Sequence, residues 1–280
     1  SLGRSEKSKV VQVAFSYLRF KQLKMYRDEA IAKRSHELLL ELNTLPSEPH
    51  VVEQPARPEK GHKTQMVGAT LGLKEDLLYA QFDYRVTYHD LLDNPEGYPK
   101  GAHIAMGNTQ IRYTEGEDVE IQRFDFIDII SLSAMDLFFN SPSWHVKTGY
   151  EKVFAQNERG LAKNTGALYV KAGGGAATNI TPSVMTYLFA DARLENNSLY
   201  KPFINTAFGL SGGVLAYNSW GTLKMAVESD YFLNDDYRAV VSVEQNFILT
   251  TNDAFRIGLF QEWYRDYNQY EVTVAYRHHF

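Results

Sequence analysis

The chain has 280 residues, a formal net charge of −5 and a mean hydropathy of −0.36, and no stretch approaches the run of about eighteen apolar residues that a membrane-crossing helix needs. It contains no cysteine, which removes disulfides, thiolate metal sites and a cysteine nucleophile from this chain together. A pI of about 5.9 gives no nucleic-acid signature. The 18 Tyr and 16 Phe suit the two aromatic girdles of a membrane β-barrel, which hides its apolar residues in alternation behind a low average hydropathy. A soluble all-β sandwich can match these totals, so the strand pattern has to decide. The chain opens on Ser1 in a basic, polar stretch with neither an initiator Met nor a signal peptide, as expected of a processed chain or a C-terminal fragment of an exported protein.

From Ser8 to about Leu42 there is no Gly or Pro, and Val11, Ala14, Phe15 and Leu18 fall at helical spacing, followed more loosely by Leu23, Met25, Tyr26, Ile31 and Leu38 to Leu40. The spacing predicts one long helix or two shorter ones over 1–44, a periplasmic helical segment. This segment holds nine Lys and Arg against five Asp and Glu. A solvated helix face explains that charge; a basic element lying near anionic lipid, or docking another domain, is the sharper reading. Pro46, Pro49, Pro55 and Pro58 then make 45–60 an extended, proline-rich linker.

From about Thr64 the period changes to two. Leu78, Ala80, Phe82, Tyr84, Val86 and Tyr88 form one face, and Tyr79, Gln81, Asp83, Arg85, Thr87 and His89 the other. This is the signature of a strand with an apolar and a polar side. The pattern recurs to the last strand, where Tyr270, Val272, Val274, Tyr276, His278 and Phe280 alternate with Glu271, Thr273, Ala275, Arg277 and His279. A strand ending on an aromatic residue suits the closing strand of an outer-membrane barrel. The expected strands are 64–74, 76–90, 102–114, 118–130, 143–154, 165–173, 183–195, 202–216, 219–231, 236–250, 254–266 and 269–280. Alternation breaks around Met106 to Ile111 and Arg123 to Phe126, which predicts bulges. Gly173 to Gly175 precede no helix and read as a loop, not a phosphate cradle.

The expected fold is therefore all-β, a twelve-stranded antiparallel transmembrane barrel over 61–280 preceded by a short α-helical segment. Closure follows because unpaired backbone groups facing hydrocarbon cost several kcal/mol each. A Lys or Arg on the lipid face at the midplane costs about 2 to 4 kcal/mol, so the charged parity should point inward. It includes Asp83, Arg85, Lys147, Glu151, Lys171, Asp191, Arg193, Lys224, Glu228, Arg238, Glu244, Arg256, Glu262, Glu271 and Arg277. Mixed signs in a twelve-stranded lumen predict a narrow or blocked interior. With an even strand number both termini share one side, the periplasm in a bacterial barrel, and two long connections, Leu91 to Gly101 and Ser131 to Pro142, fall on it. Periplasmic turns are usually short. These loops, with Asp93, Tyr98, Met135, Phe138 and Phe139, are expected to form a docking surface for an upstream periplasmic domain.

The string Tyr88-His89-Asp90-Leu91-Leu92-Asp93, with Gly97-Tyr98, Gly101-Ala102-His103-Ile104, the upstream Gly61-His62 and the later Ser131-Leu132 and Ser143-Trp144, resembles the C-terminal half of the Lnb-like lipoprotein N-acyltransferase family. The resemblance implies a periplasmic, cysteine-dependent catalytic domain upstream, followed by helices and a C-terminal barrel. Its nucleophile has no counterpart in a chain without Cys, so what carries over is a barrel that anchors or positions an enzyme at the outer membrane. The implied partners are outer-membrane lipid and that upstream domain of the same protein, with no nucleic acid, cofactor or metal.

A barrel-wall lipid hydrolase and a small-solute or lipid conduit are the alternatives. A hydrolase needs a Ser nucleophile beside a His and an orienting group, and no His-x-Ser-Asn-Gly string is present. His89 with Asp90 and Asp93 is the best local constellation for general-base work. The competing reading is a capped turn in which both Asp side chains bind backbone N–H groups. His278 and His279 read as interfacial, and His62 and His103 show no metal-ligand spacing to any partner.

Overall fold

A computed structural model describes residues 3–24, 28–46, 54–136, 139–156, 162–197, 204–265 and 267–280. The chain divides into two units, Ser1–Gln54 and Pro55–Phe280. In the first, two helices form, α1 (Arg4–Lys24) and α2 (Glu29–Leu42). Asp28 caps α2 by accepting the backbone N–H groups of Ala30 (2.9 Å) and Ile31 (3.3 Å), the usual way of satisfying a helix's first orphan donors. Val11 and Leu38 are buried, and Lys7 of α1 pairs with Glu41 of α2 at 2.8 Å. The helical pattern thus resolves into two elements broken near a capping aspartate.

The second unit is a closed barrel of twelve strands among the described residues: β1 (Met66–Lys74), β2 in two segments (Leu77–Arg85 and Thr87–His89), β3 (Ala102–Thr114), β4 (Val119–Ser131), β5 (Ser143–Gln156), β6 (Ala162–Thr181), β7 (Val184–Asn197), β8 (Ile204–Asn218), β9 (Gly221–Phe232), β10 (Tyr237–Ile248), β11 (Asp253–Tyr264) and β12 (Tyr267–His279). Each strand pairs antiparallel with its neighbour, and β1 pairs with β12 from Met66↔His279 to Lys74↔Glu271, which removes both edges. Register shifts fall between Gln110 and Ile111 in β3 and between Asp125 and Ile127 in β4, where the alternation breaks. The Gly173-Gly174-Gly175 run is not a loop. It lies inside the long β6, opposite His145, Trp144 and Ser143 of β5. A Cβ on Gly173 would come within 2.1 Å of Asp191 Oδ1 and 2.4 Å of His145 Nε2, so glycine serves there to admit a side-chain pair into the lumen.

The two faces of the wall differ as alternation requires. Leu71, Leu188, Leu210 and Val227 are each more than half exposed on the outside, whereas Asp83, Arg85, Lys171, Asp191, Arg193 and Arg256 are buried inside. An apolar exterior around a charged interior inverts the arrangement of a soluble domain and is that of a transmembrane β-barrel.

Candidate functional site at the plugged end of the lumen

The interior holds two cavities of about 210 and 340 Å³, which share Arg123, Lys171, Lys224 and Arg256 in their walls and so stack along the lumen. At the end holding the barrel's two chain termini, the connection between β2 and β3 folds inward. Leu91 and Leu92 are buried, and Leu91 joins Leu132, Ala177, Met185, Phe189, Leu215 and Tyr217 in an apolar cluster. These strand residues belong to the inward parity, so the lumen becomes apolar where the loop enters it. Gly101, with φ +81°, ends the loop and accepts the Leu132 N–H at 2.9 Å.

Asp90 and Asp93 tie the loop to the wall. Asp90 Oδ1 accepts the backbone N–H groups of Leu92 (2.7 Å) and Asp93 (3.1 Å), and Asp93 Oδ2 accepts that of Asp90 (3.0 Å), the capped turn in full. The same carboxylates bind three arginines from three strands. Arg85 of β2 reaches Asp93 at 2.5 Å and Asp90 at 3.2 Å. Arg256 of β11 forks onto both oxygens of Asp90 at 3.0 and 3.1 Å and reaches Asp93 at 3.2 Å, and Arg277 of β12 meets Asp90 at 3.2 Å. Burial alone would raise both carboxyls. The opposing charges, Arg256 first at Asp90 and Arg85 first at Asp93, instead hold them well below the usual carboxylate range.

Three histidines cover Asp93 from the terminal side. His62, His89 and His279 are all buried. His62 Nε2 lies 2.8 Å from His89 Nδ1, and Tyr98 stacks on His89 at 4.3 Å and on His62 at 4.5 Å while its hydroxyl donates to the His62 carbonyl at 2.7 Å. Burial pushes the His62 imidazole down, with Asp93 only partly offsetting this.

His62 Nε2, His279 Nε2 and an Asp93 oxygen all lie within 4.8 Å of one another, a donor set of the kind that holds zinc. The cation among them is already a guanidinium: Arg85 Nη2 stands 2.5 Å from Asp93 and 3.2 Å from His279. Three arginines against two aspartates leave one excess positive charge. Unit charges of one sign 4 Å apart cost about 4 kcal/mol at an effective dielectric near 20, so a divalent ion would enter against like charge. What the structure shows is a latch of ion pairs tying the connection to the wall.

Several expectations change here. Asp93 is not part of an outward docking surface: its side chain has no exposure, because its charge is satisfied inside the lumen, whereas Tyr98 is partly exposed. His279 is buried in the latch rather than interfacial; His278 is half exposed and bonds Asp253 at 2.8 Å. Sequence spacing hides the meeting of His62, Asp93 and His279 because the closing of β1 on β12 brings them together. The partners of His89 are His62 and Tyr98. In the second long loop, Met135 donates its N–H to the Ala177 carbonyl at 2.7 Å, and Phe139 is about half exposed; Phe138 lies outside the described residues.

The other charged positions line the lumen in pairs. Glu151 binds Arg193 (2.7 Å) and Arg238 (3.0 Å), and Lys224 binds Glu244 at 3.0 Å. Lys171 meets Asp230 at 3.0 Å, Glu228 at 3.3 Å and Asp191 at 3.5 Å. Asp83 accepts from Thr70 and Gln81, and Glu262 from Tyr264 and Gln269. Glu271 binds Arg112 at 2.9 Å and Tyr79. Arg112 and Arg123 went unread in the sequence because their strands carry the bulges that break parity.

Residues 55–279 match the family model described as a domain of unknown function, DUF7840. The chain belongs to that family. Comparison with curated proteins returned no match. Among solved structures, the fold is similar to the KdgM porin in complex with disordered oligogalacturonate (TM-score 0.45, 9% identity, 77% of this chain and 99% of that one). It is also similar to the COG4313 outer membrane channel from Pseudomonas putida F1 (TM-score 0.42, 8% identity, 84% and 100%) and to the NanC porin (TM-score 0.41, 11% identity, 75% and 98%).

Proposed function

We propose that this chain is an outer-membrane barrel that anchors and positions a periplasmic acyltransferase-like domain carried upstream, and that it is closed to solute at neutral pH. The observation that carries the closed state is the inward-folded turn Asp90–Asp93, fixed by Arg85, Arg256 and Arg277 across the end of the lumen. A loop held this way fills the end of the lumen with chain, which obstructs solute passage and leaves anchoring unaffected, and removing either partner would leave a buried charge unpaired. The anchoring role is supported by the His89-Asp90-Leu91-Leu92-Asp93 string that resembles the acyltransferase family, which in this fold is the plug itself.

Two measurements test this reading. The purified chain in planar bilayers at pH 7.5 should show no porin-like conductance steps; steady open-channel current would overturn the closed state. In the full-length precursor, deletion of the barrel segment should release the upstream domain into the soluble periplasmic fraction. Its retention in the outer membrane, or a precursor with no such domain, would overturn the anchoring role.

A further inference from the structure

At His279 the latch is hydrogen-bonded in a way that only a neutral imidazole satisfies. A backbone carbonyl only accepts and a guanidinium only donates. His62 Nδ1 faces the Lys63 carbonyl at 2.6 Å and His279 Nδ1 the Asn252 carbonyl at 3.2 Å, so both Nδ1 atoms carry hydrogen. His279 Nε2 faces Arg85 Nη2 at 3.2 Å and must offer its lone pair. His62 Nε2 and His89 Nδ1 lie 2.8 Å apart and share one hydrogen between them. A second proton on His279 would set its Nε2–H against the Arg85 N–H, and protonating both His62 and His89 would set donor against donor across their contact.

We propose that the plug is a proton-released latch: protonation of the His62, His89 and His279 cluster frees the Asp90–Asp93 turn and opens the lumen. This rests on the closed-lumen reading and adds its regulation. Charged groups face the cluster from several elements. From β2, β11 and β12 come Arg85, Arg256 and Arg277, and the loop supplies Asp90, Asp93 and the stacked Tyr98. Glu244 acts on Arg256, and Asp83 on Arg277, from the lumen side. A protonated His279 competes with Arg85 for Asp93 Oδ2, which lies 3.4 Å away, and so loosens the bond that holds the turn. Histidine ordinarily titrates in this range, and burial shifts His62 to its acid side.

The test is conductance of the full chain in planar bilayers between pH 7.5 and 4.5, with heat-modifiable gel migration confirming a folded barrel at each pH. Wild type should be closed at pH 7.5 and open in acid, the open fraction rising about tenfold per pH unit for each proton taken up. His62→Gln, His89→Gln and His279→Gln combined should stay closed in acid, and Asp93→Asn should be open at pH 7.5. If the triple variant does not fold, His279→Gln alone should move the opening midpoint to lower pH. Current already present at pH 7.5 overturns the closed reading and the latch with it. A folded barrel closed throughout overturns the latch alone, as does a glutamine variant that opens at the wild-type pH.

Discussion

At the end of the barrel that holds both of its chain termini, the inward positions of β6, β7 and β8 are Ala177, Met185, Phe189, Leu215 and Tyr217, packed against Leu91 and Leu132, while β2, β11 and β12 supply the arginines that hold Asp90 and Asp93. Toward the opposite end the same inward parity carries Glu151, Arg193 and Arg238, paired across the lumen. One end is filled by chain folding back on itself, the other by side chains reaching across to opposite charges. Alternation decides only that a residue points inward. What it meets there depends on whether a loop of complementary character can return to it.

The contrast is broken most sharply at Asp93. Asp93→Ala leaves Arg85 buried without one partner and Arg256 with one fewer, and should cost about 3 to 5 kcal/mol, measured as a lower urea midpoint in detergent. Leu91→Ala leaves the arginine contacts in place but opens the apolar cluster, for about 2 to 4 kcal/mol, with flickering current at neutral pH. Gly173→Ala tests the middle of the lumen. Its Cβ collides with the His145–Asp191 pair, at a cost of about 1 to 3 kcal/mol. Replacing Lys224 and Glu244 together by Met and Leu should be the mildest change, neutral or stabilising by about 1 kcal/mol, because the pair's desolvation is removed along with its attraction. A large loss there would show that the ion pair lying next to the latch is as tightly specified as the latch itself.

Acid should weaken the plugged end in two stages. His62 is depressed below its unfolded value near 6.5, so the unfolded chain binds its proton first and the plugged end weakens as pH falls below about 6.5. Asp90 and Asp93 are depressed as well; their stabilisation is present above an unfolded value of about 3.9 and is lost as pH falls through their lower folded values. Urea midpoints plotted against pH should fall in two stages, with His62→Gln removing the upper one.

The twelve strands, their inward parity and the bulges near Gln110 and Asp125 were legible because the side-chain period of a strand is two and a lipid-facing charge is costly. The capped turn at Asp90 and Asp93 was legible from local chemistry. The plug was not, although inward Met185, Phe189 and Leu215 were its trace: apolar residues on the charged parity mark where the lumen is filled by something other than water. The latch lay beyond any sequence pattern. His62, Asp93 and His279 are separated by most of the chain, and only closure of β1 on β12 brings the two histidines to one carboxylate. Local periodicity and solvation thus fixed the wall and its two faces. Which inward groups meet was decided by closure and by the return of one loop, since contact energies fall off over a few ångströms and depend on tertiary neighbours that sequence spacing does not encode.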